Sequence, residues 1–250
     1  MKTPTDVLLF VPNLIGYFRV VCSIVCFVLM MTYPTMAMEA ITLYILSFAG
    51  DLFDGWAARK FNQCSDYGAL LDMVTDRCST AGLLFVLGCE AAAKASAMEA
   101  SEQPTGLSLD QQPIVFQFLL MLDVASHWCQ MHATLSANHA GHHKSKESNA
   151  DKSLLVQWYY EKYWFFGYLC VGAEWTYVCL YVLNHTSVDS WIGWLSLGCL
   201  RICLPGCVLK QVVNIAQLQS ACFLVAARDA AKHNKDDRNS NSEGTSTKKE

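Results

Sequence analysis

Apolar residues fall in long blocks along this chain. Six blocks approach the ~20 mostly apolar residues that a helix needs to cross a bilayer. They run roughly over 13–33, 38–58, 69–93, 113–135, 163–184 and 191–225. The pattern predicts an all-α, polytopic membrane protein, a bundle of six transmembrane helices. The last block is longer than a bilayer requires, so its C-terminal part is expected to protrude. The stretches between blocks are short, apart from one longer polar loop on each side. Residues 1–231 read as one membrane domain. From Lys232 onward the chain is polar and poor in apolar residues, and 232–250 is expected to be a disordered cytosolic tail.

Composition sharpens this picture. Of 250 residues, 53% are hydrophobic and 16% are charged, against about 25% charge in a typical soluble domain. That shortage excludes a disordered chain, a collagen and a nucleic-acid-binding domain. The net charge of −4 gives no general attraction to polyanions. Lys and Arg placement then orients the bundle. With the N-terminus in the cytosol, the cytosolic connections hold Arg59, Lys60, Lys144, Lys146 and Lys152, and the C-terminal end adds Arg228, Lys232, Lys235, Arg238, Lys248 and Lys249. The opposite side holds Lys94, and the loop 185–190 has no Lys or Arg. The first block does not read as a signal peptide, because Arg19 interrupts it and no small-residue cleavage pattern closes it. Eleven of the 12 cysteines lie in apolar blocks, where they act as small hydrophobes rather than a disulfide framework.

The chemistry lies in acids placed where acids are expensive. An ionisable residue within a span costs about 2.5–3.5 kcal/mol on insertion scales. Spans two and three nevertheless carry Asp51, Asp54, Asp72 and Asp76 near their cytosolic ends. At about 100° per residue, Asp51 and Asp54 share one helix face, as do Asp72 and Asp76. The short connection is expected to make these helices antiparallel neighbours, with the two acidic pairs facing each other. Four close carboxylates repel unless something cationic sits among them. Hard ions such as Mg²⁺ or Mn²⁺ take carboxylate oxygens, and two ions can be shared by such a set. Gly55, Ala57, Ala58 and Gly68 allow close approach around the acids. Arg59 stands just beyond them, where a guanidinium can hold phosphate oxygens.

The residues read Asp51-x₂-Asp54-Gly55-x₂-Ala58-Arg59, then eight residues, then Gly68-x₃-Asp72-x₃-Asp76. This resembles the complete signature of the CDP-alcohol phosphotransferase family. Within it, Val11-Pro12-Asn13 with Gly16 and Arg19, Leu71 to Thr80, and Leu122 to Trp128 are similar to the branch that makes phosphatidylinositol in eukaryotes. The resemblance implies transfer of the phosphatidyl group of CDP-diacylglycerol to myo-inositol with release of CMP. It implies that Asp51, Asp54, Asp72 and Asp76 bind two divalent ions, that Asp76 is also the general base, and that Gly55, Arg59 and Ser65 contact CDP-diacylglycerol, with Asn13 near the diphosphate. It also implies a homodimer and residence in the endoplasmic reticulum, with the active site facing the cytosol.

Inositol is a neutral polyol and needs several paired donors and acceptors. Arg77, Asp123, Ser126, His127, Lys144 and Glu174 are the candidates. Asp123 and His127, at i and i+4, form either part of that site or a polar contact between helices. Two rival functions stand at this stage. One is a family member with glycerol phosphate, serine or diacylglycerol as acceptor. The other is a cation transporter using the four acids, although no internal repeat supports it.

Overall fold

The computed structural model describes residues 3–100, 112–139 and 163–246. Seven α-helices make up these segments, with no β-strand among the described residues. They are α1 (Pro4–Leu8), α2 (Val11–Thr32), α3 (Ala37–Lys60), α4 (Asp66–Ala100), α5 (Pro113–His139), α6 (Tyr163–His185) and α7 (Trp191–Ser246). A 3₁₀ turn, Pro34–Met36, joins α2 to α3. The six helices α2 to α7 are each long and apolar enough to cross a membrane. The protein is therefore an integral membrane protein, as its hydrophobic blocks predict.

Local signals set the helix starts. Thr3 caps α1 through a reciprocal box with Asp6. Pro12 lies in the first turn of α2, where its missing N–H costs nothing. The α3–α4 turn contains Asn62 at φ 52°, a left-handed position that Asn tolerates better than most residues. The Ser65 hydroxyl oxygen then accepts from the Gly68 N–H at 3.0 Å, capping α4.

Two boundaries differ from the hydropathy reading. α4 continues to Ala100, through Ala91-Ala-Ala-Lys-Ala, where high helix propensity replaces apolar content as the cause. α7 extends to Ser246, across a stretch whose composition predicts disorder. The helix enters that stretch through Ala226-Ala-Arg-Asp-Ala-Ala-Lys232, and adding residues to an existing helix is far easier than nucleating one. Pro205 sits inside α7 without ending it.

The packing order also departs from the expectation drawn from loop length. Although α3 and α4 are consecutive, they pack only sparsely on each other, because α2 lies against both. α4 packs on α5 and touches α6, α6 packs along α7, and α7 returns to α5. The apolar core (Met30, Ile41, Leu83, Leu87, Phe116 and Tyr181 among others) fills the end of the bundle away from the α3–α4 turn. Large apolar side chains such as Phe53, Trp164 and Phe223 point outward, as lipid-facing positions do. All 12 cysteines are free.

Candidate active site and metal centre

The wedge position of α2 decides the architecture of the site. α2 delivers Arg19, 2% exposed, to the point where the last two turns of α3 and the first turns of α4 converge. Arg19 Nη1 donates to Asp54 Oδ2 at 2.5 Å and to Asp72 Oδ1 at 2.8 Å. Its Nη2 donates to Asp76 Oδ1 at 2.5 Å and lies 3.0 Å from Asp51 Oδ1. The four aspartates do converge as their spacing suggests, but across a third helix and around a guanidinium. The sequence marked Arg19 as an interruption of an apolar run and as part of the resembling Val11–Arg19 segment, but not as a partner of the acids. The same rule that singled out the acids, that an intramembrane charge has a partner, applied to it equally.

Room for Arg19 is built into its neighbours. A Cβ on Gly50 would stand 2.8 Å from Arg19 Cγ, so the glycine admits the arginine stem. Ser47 donates its hydroxyl to the Arg19 carbonyl at 3.1 Å, and Ser23 joins Ser47 and Ser79 at 3.0 and 3.1 Å. These contacts tie α2 to α3 and α4 one turn from the acids.

The donor set fits a hard divalent cation. Asp51, Asp72 and Asp76 each offer one oxygen, all within 4.8 Å of one another. All are carboxylate oxygens, the ligands that Mg²⁺ and Mn²⁺ prefer. Asp54 adds a fourth carboxylate through its shared contact with Arg19.

Beside the acids, between α2 and the α3–α4 turn, lies an open cavity of about 170 Å³. Asn13, Asp54, Gly55, Ser65, Gly68 and Asp72 are among its lining residues. Asn13, Gly55 and Ser65, singled out from the sequence, thus come together on one wall. Asn13 donates its amide to the Val7 carbonyl at 2.6 Å, and a Cβ on Gly68 would meet Asn13 Oδ1 at 2.9 Å. Arg59 is exposed at the rim, with its guanidinium 3.5 Å from where a Gly55 Cβ would sit.

A second polar region begins where Asp76 ends. Arg77 Nη2 lies 3.9 Å from Asp76 Oδ2, and Arg77 Nη1 donates to both Asp123 oxygens at 2.9 Å. His127 Nδ1 lies 2.8 Å from the Asp123 carbonyl and 3.5 Å from Asp123 Oδ1. Ser126 is fully buried and donates to the Asp123 carbonyl at 3.1 Å. Glu174 accepts from Tyr44 at 2.8 Å and also from Thr80. Five of the six inositol candidates therefore fall in one connected interior, and Lys144 lies outside the described residues. Sequence reasoning missed Lys210, Asn214 and Gln217, which are buried on α7. Lys210 donates to Asn214 at 2.6 Å and is within electrostatic reach of Asp123 and Arg77. Their i, i+4, i+7 spacing inside an apolar block was the available signal.

Similarity to known proteins agrees with this geometry. The pattern that describes CDP-alcohol phosphatidyltransferases matches residues 9–141. The CDP-diacylglycerol–inositol 3-phosphatidyltransferase of Saccharomyces cerevisiae is 36% identical, over 93% of this chain and 93% of its own. That of Homo sapiens is 36% identical, over 90% of this chain and 95% of its own. That of Candida albicans is 34% identical, over 93% and 88%. No solved structure matches the chain.

Proposed function

Because the chain belongs to the CDP-alcohol phosphatidyltransferase family, we propose that it transfers the phosphatidyl group of CDP-diacylglycerol to myo-inositol and releases CMP. The observation that carries the reading is the convergence of Asp51, Asp54, Asp72 and Asp76 beside an open cavity. Inositol as the acceptor rests on the relatives, each of which is a CDP-diacylglycerol–inositol 3-phosphatidyltransferase.

The roles follow from chemistry and position. Asn13, Gly55 and Ser65 line the cavity for the cytidine diphosphate, and Arg59 at the rim holds phosphate oxygens. Asp51, Asp54, Asp72 and Asp76 would hold two divalent ions, Mg²⁺ or Mn²⁺, which when bound neutralise the diphosphate and stabilise the leaving phosphate of CMP. Asp76 accepts the proton of the inositol hydroxyl as that oxygen attacks the phosphorus on the diacylglycerol side. The bond from that phosphorus to the oxygen shared with CMP breaks, and the pair leaves with CMP. Inositol binds on the far side of Asp76, among Arg77, Asp123 and His127, with Ser126 and Glu174 behind them. Such a boundary site admits inositol from water and acyl chains from the bilayer. We place the site on the cytosolic face of the endoplasmic reticulum, following the Lys and Arg asymmetry, and expect a homodimer as the family resemblance implies.

A panel of acceptors tests the reading. Purified protein with Mn²⁺ and CDP-diacylglycerol is offered myo-inositol, serine or glycerol 3-phosphate, a parallel reaction offers a CDP-alcohol with diacylglycerol, and lipid products are separated. Phosphatidylinositol should be the main product. Equal products across the panel would refute the inositol assignment, and no product with any acceptor would refute the enzyme assignment.

A further inference from the structure

The four aspartates already have a cation among them, and it belongs to the chain. Arg19 reaches every one of them at 2.5–3.0 Å, using Nη1 for Asp54 and Asp72 and Nη2 for Asp51 and Asp76. It engages one oxygen of each acid. A guanidinium is charged at any working pH, so this contact is permanent unless a competitor removes it. The packing that admits it is specific: Gly50 leaves space for the arginine stem, and Ser47 grips the Arg19 carbonyl. Yet the accommodation is incomplete. Arg19 Nε is buried with no hydrogen-bond partner, and four carboxylates outnumber the two guanidiniums near them, Arg19 at their centre and Arg77 at 3.9 Å from Asp76.

Divalent ions bound by these acids would need the same ground. Mg²⁺ holds its oxygens at about 2.0–2.1 Å in near-octahedral geometry. A guanidinium seated among the same carboxylates blocks their lone pairs and repels a second cation. We infer that Arg19 is a built-in counter-ion: it holds Asp51, Asp54, Asp72 and Asp76 together before divalent ions arrive, and the ions displace it when they bind. This rests on the proposal that the four acids are a metal centre. It assigns Arg19 a positioning role, since it keeps the acids preassembled and sets how tightly ions are held. Metal affinity is then a difference between two occupants rather than the property of an empty cage.

The test is Mn²⁺ binding by the full-length protein in detergent, without substrate. Bound Mn²⁺ is read by loss of the free-ion electron paramagnetic resonance signal, and stability by thermal unfolding in chelator and in Mn²⁺. Arg19→Gln removes the competitor. It should bind Mn²⁺ about tenfold or more tightly than the wild type, the scale of one charge pair between aqueous and protein-surface dielectric. It should also melt lower than the wild type in chelator, with most of that loss restored by Mn²⁺. Arg19→Lys, with one compact ammonium, should fall between the two and carries the test if Arg19→Gln does not fold. Unchanged or weaker Mn²⁺ binding in the variants, with binding in the wild type, would overturn the counter-ion role alone. No Mn²⁺ binding in any of the three would overturn the metal centre and the inference with it.

Discussion

Asp76 holds one oxygen 2.5 Å from Arg19 and the other 3.9 Å from Arg77, so it joins the cluster of acids to the Arg77–Asp123 pair. That double position suits the proposed role of base, between the proposed metal ligands and the proposed inositol contacts. Asp76→Asn preserves size and can still accept from Arg19, but it cannot take a proton. We expect turnover to fall by about 10²-fold or more, while CDP-diacylglycerol binding persists. CMP release and nucleotide-lipid binding on the same preparation check this, and near-wild-type turnover would remove Asp76 from the role. At this scale the sequence was legible where residues share a helix. Asp51 with Asp54, and Asp72 with Asp76, follow from the turn of a helix and nothing else. Arg19 was not legible as a member of the cluster. Its position depends on α2 inserting between α3 and α4, which no local periodicity encodes.

Between elements, charged and polar pairs replace loops as the organisers. Arg77 on α4 holds Asp123 on α5, and Tyr44 on α3 shares Glu174 on α6 with Thr80 on α4. At the opposite end of α4, Glu90 accepts from Asn184 at 2.6 Å and lies 2.7 Å from His185 Nε2, again linking α4 to α6. The sequence displayed Asp123, His127 and Glu174 as costly intramembrane residues, but it left open whether they bind a ligand or another helix. The geometry shows that contact between helices is part of the answer, because Asp123 on α5 accepts from Arg77 on α4, whereas its His127 contact stays within α5. Asp123→Ala removes both hydrogen bonds of the Arg77 guanidinium to Asp123, and we expect a loss of about 1–3 kcal/mol, seen as a lower melting temperature. If the same pair also positions inositol, the KM for inositol should rise in Asp123→Asn, which keeps an acceptor for Arg77, with little change in melting. An unchanged KM there would leave Asp123 with a role in packing only.

For the whole molecule, the hydrophobic blocks forecast six spans, and their ends agree with the helices to within a few residues for α2, α3 and α6. The long helices diverged where propensity or helix continuation, rather than hydropathy, governs the boundary. The expected orientation places the α3–α4 turn and the end of α7 on one side, and the α6–α7 connection on the other. In sealed microsomes a tag inserted between Ser187 and Val188 should be protected from protease, and a tag after Glu250 should be digested. The reverse pattern would put the acids on the wrong face for cytosolic inositol. Aromatic residues fit a membrane boundary as well: exposed Trp191 and Trp194 mark the start of α7, and Lys60 lies 4.2 Å from the Trp56 ring centre at the end of α3.

Metal-dependent transfer at one acidic centre is the core of the proposed function, so the most direct measurement is CMP formed from CDP-diacylglycerol by the purified chain. With Mn²⁺ present, CMP should appear only when myo-inositol is added, in equal amount to phosphatidylinositol. A chelator should stop it, and excess Mn²⁺ should restore it. CMP release that continues at the same rate in chelator, or that never responds to inositol, would contradict metal-dependent transfer to inositol at this centre.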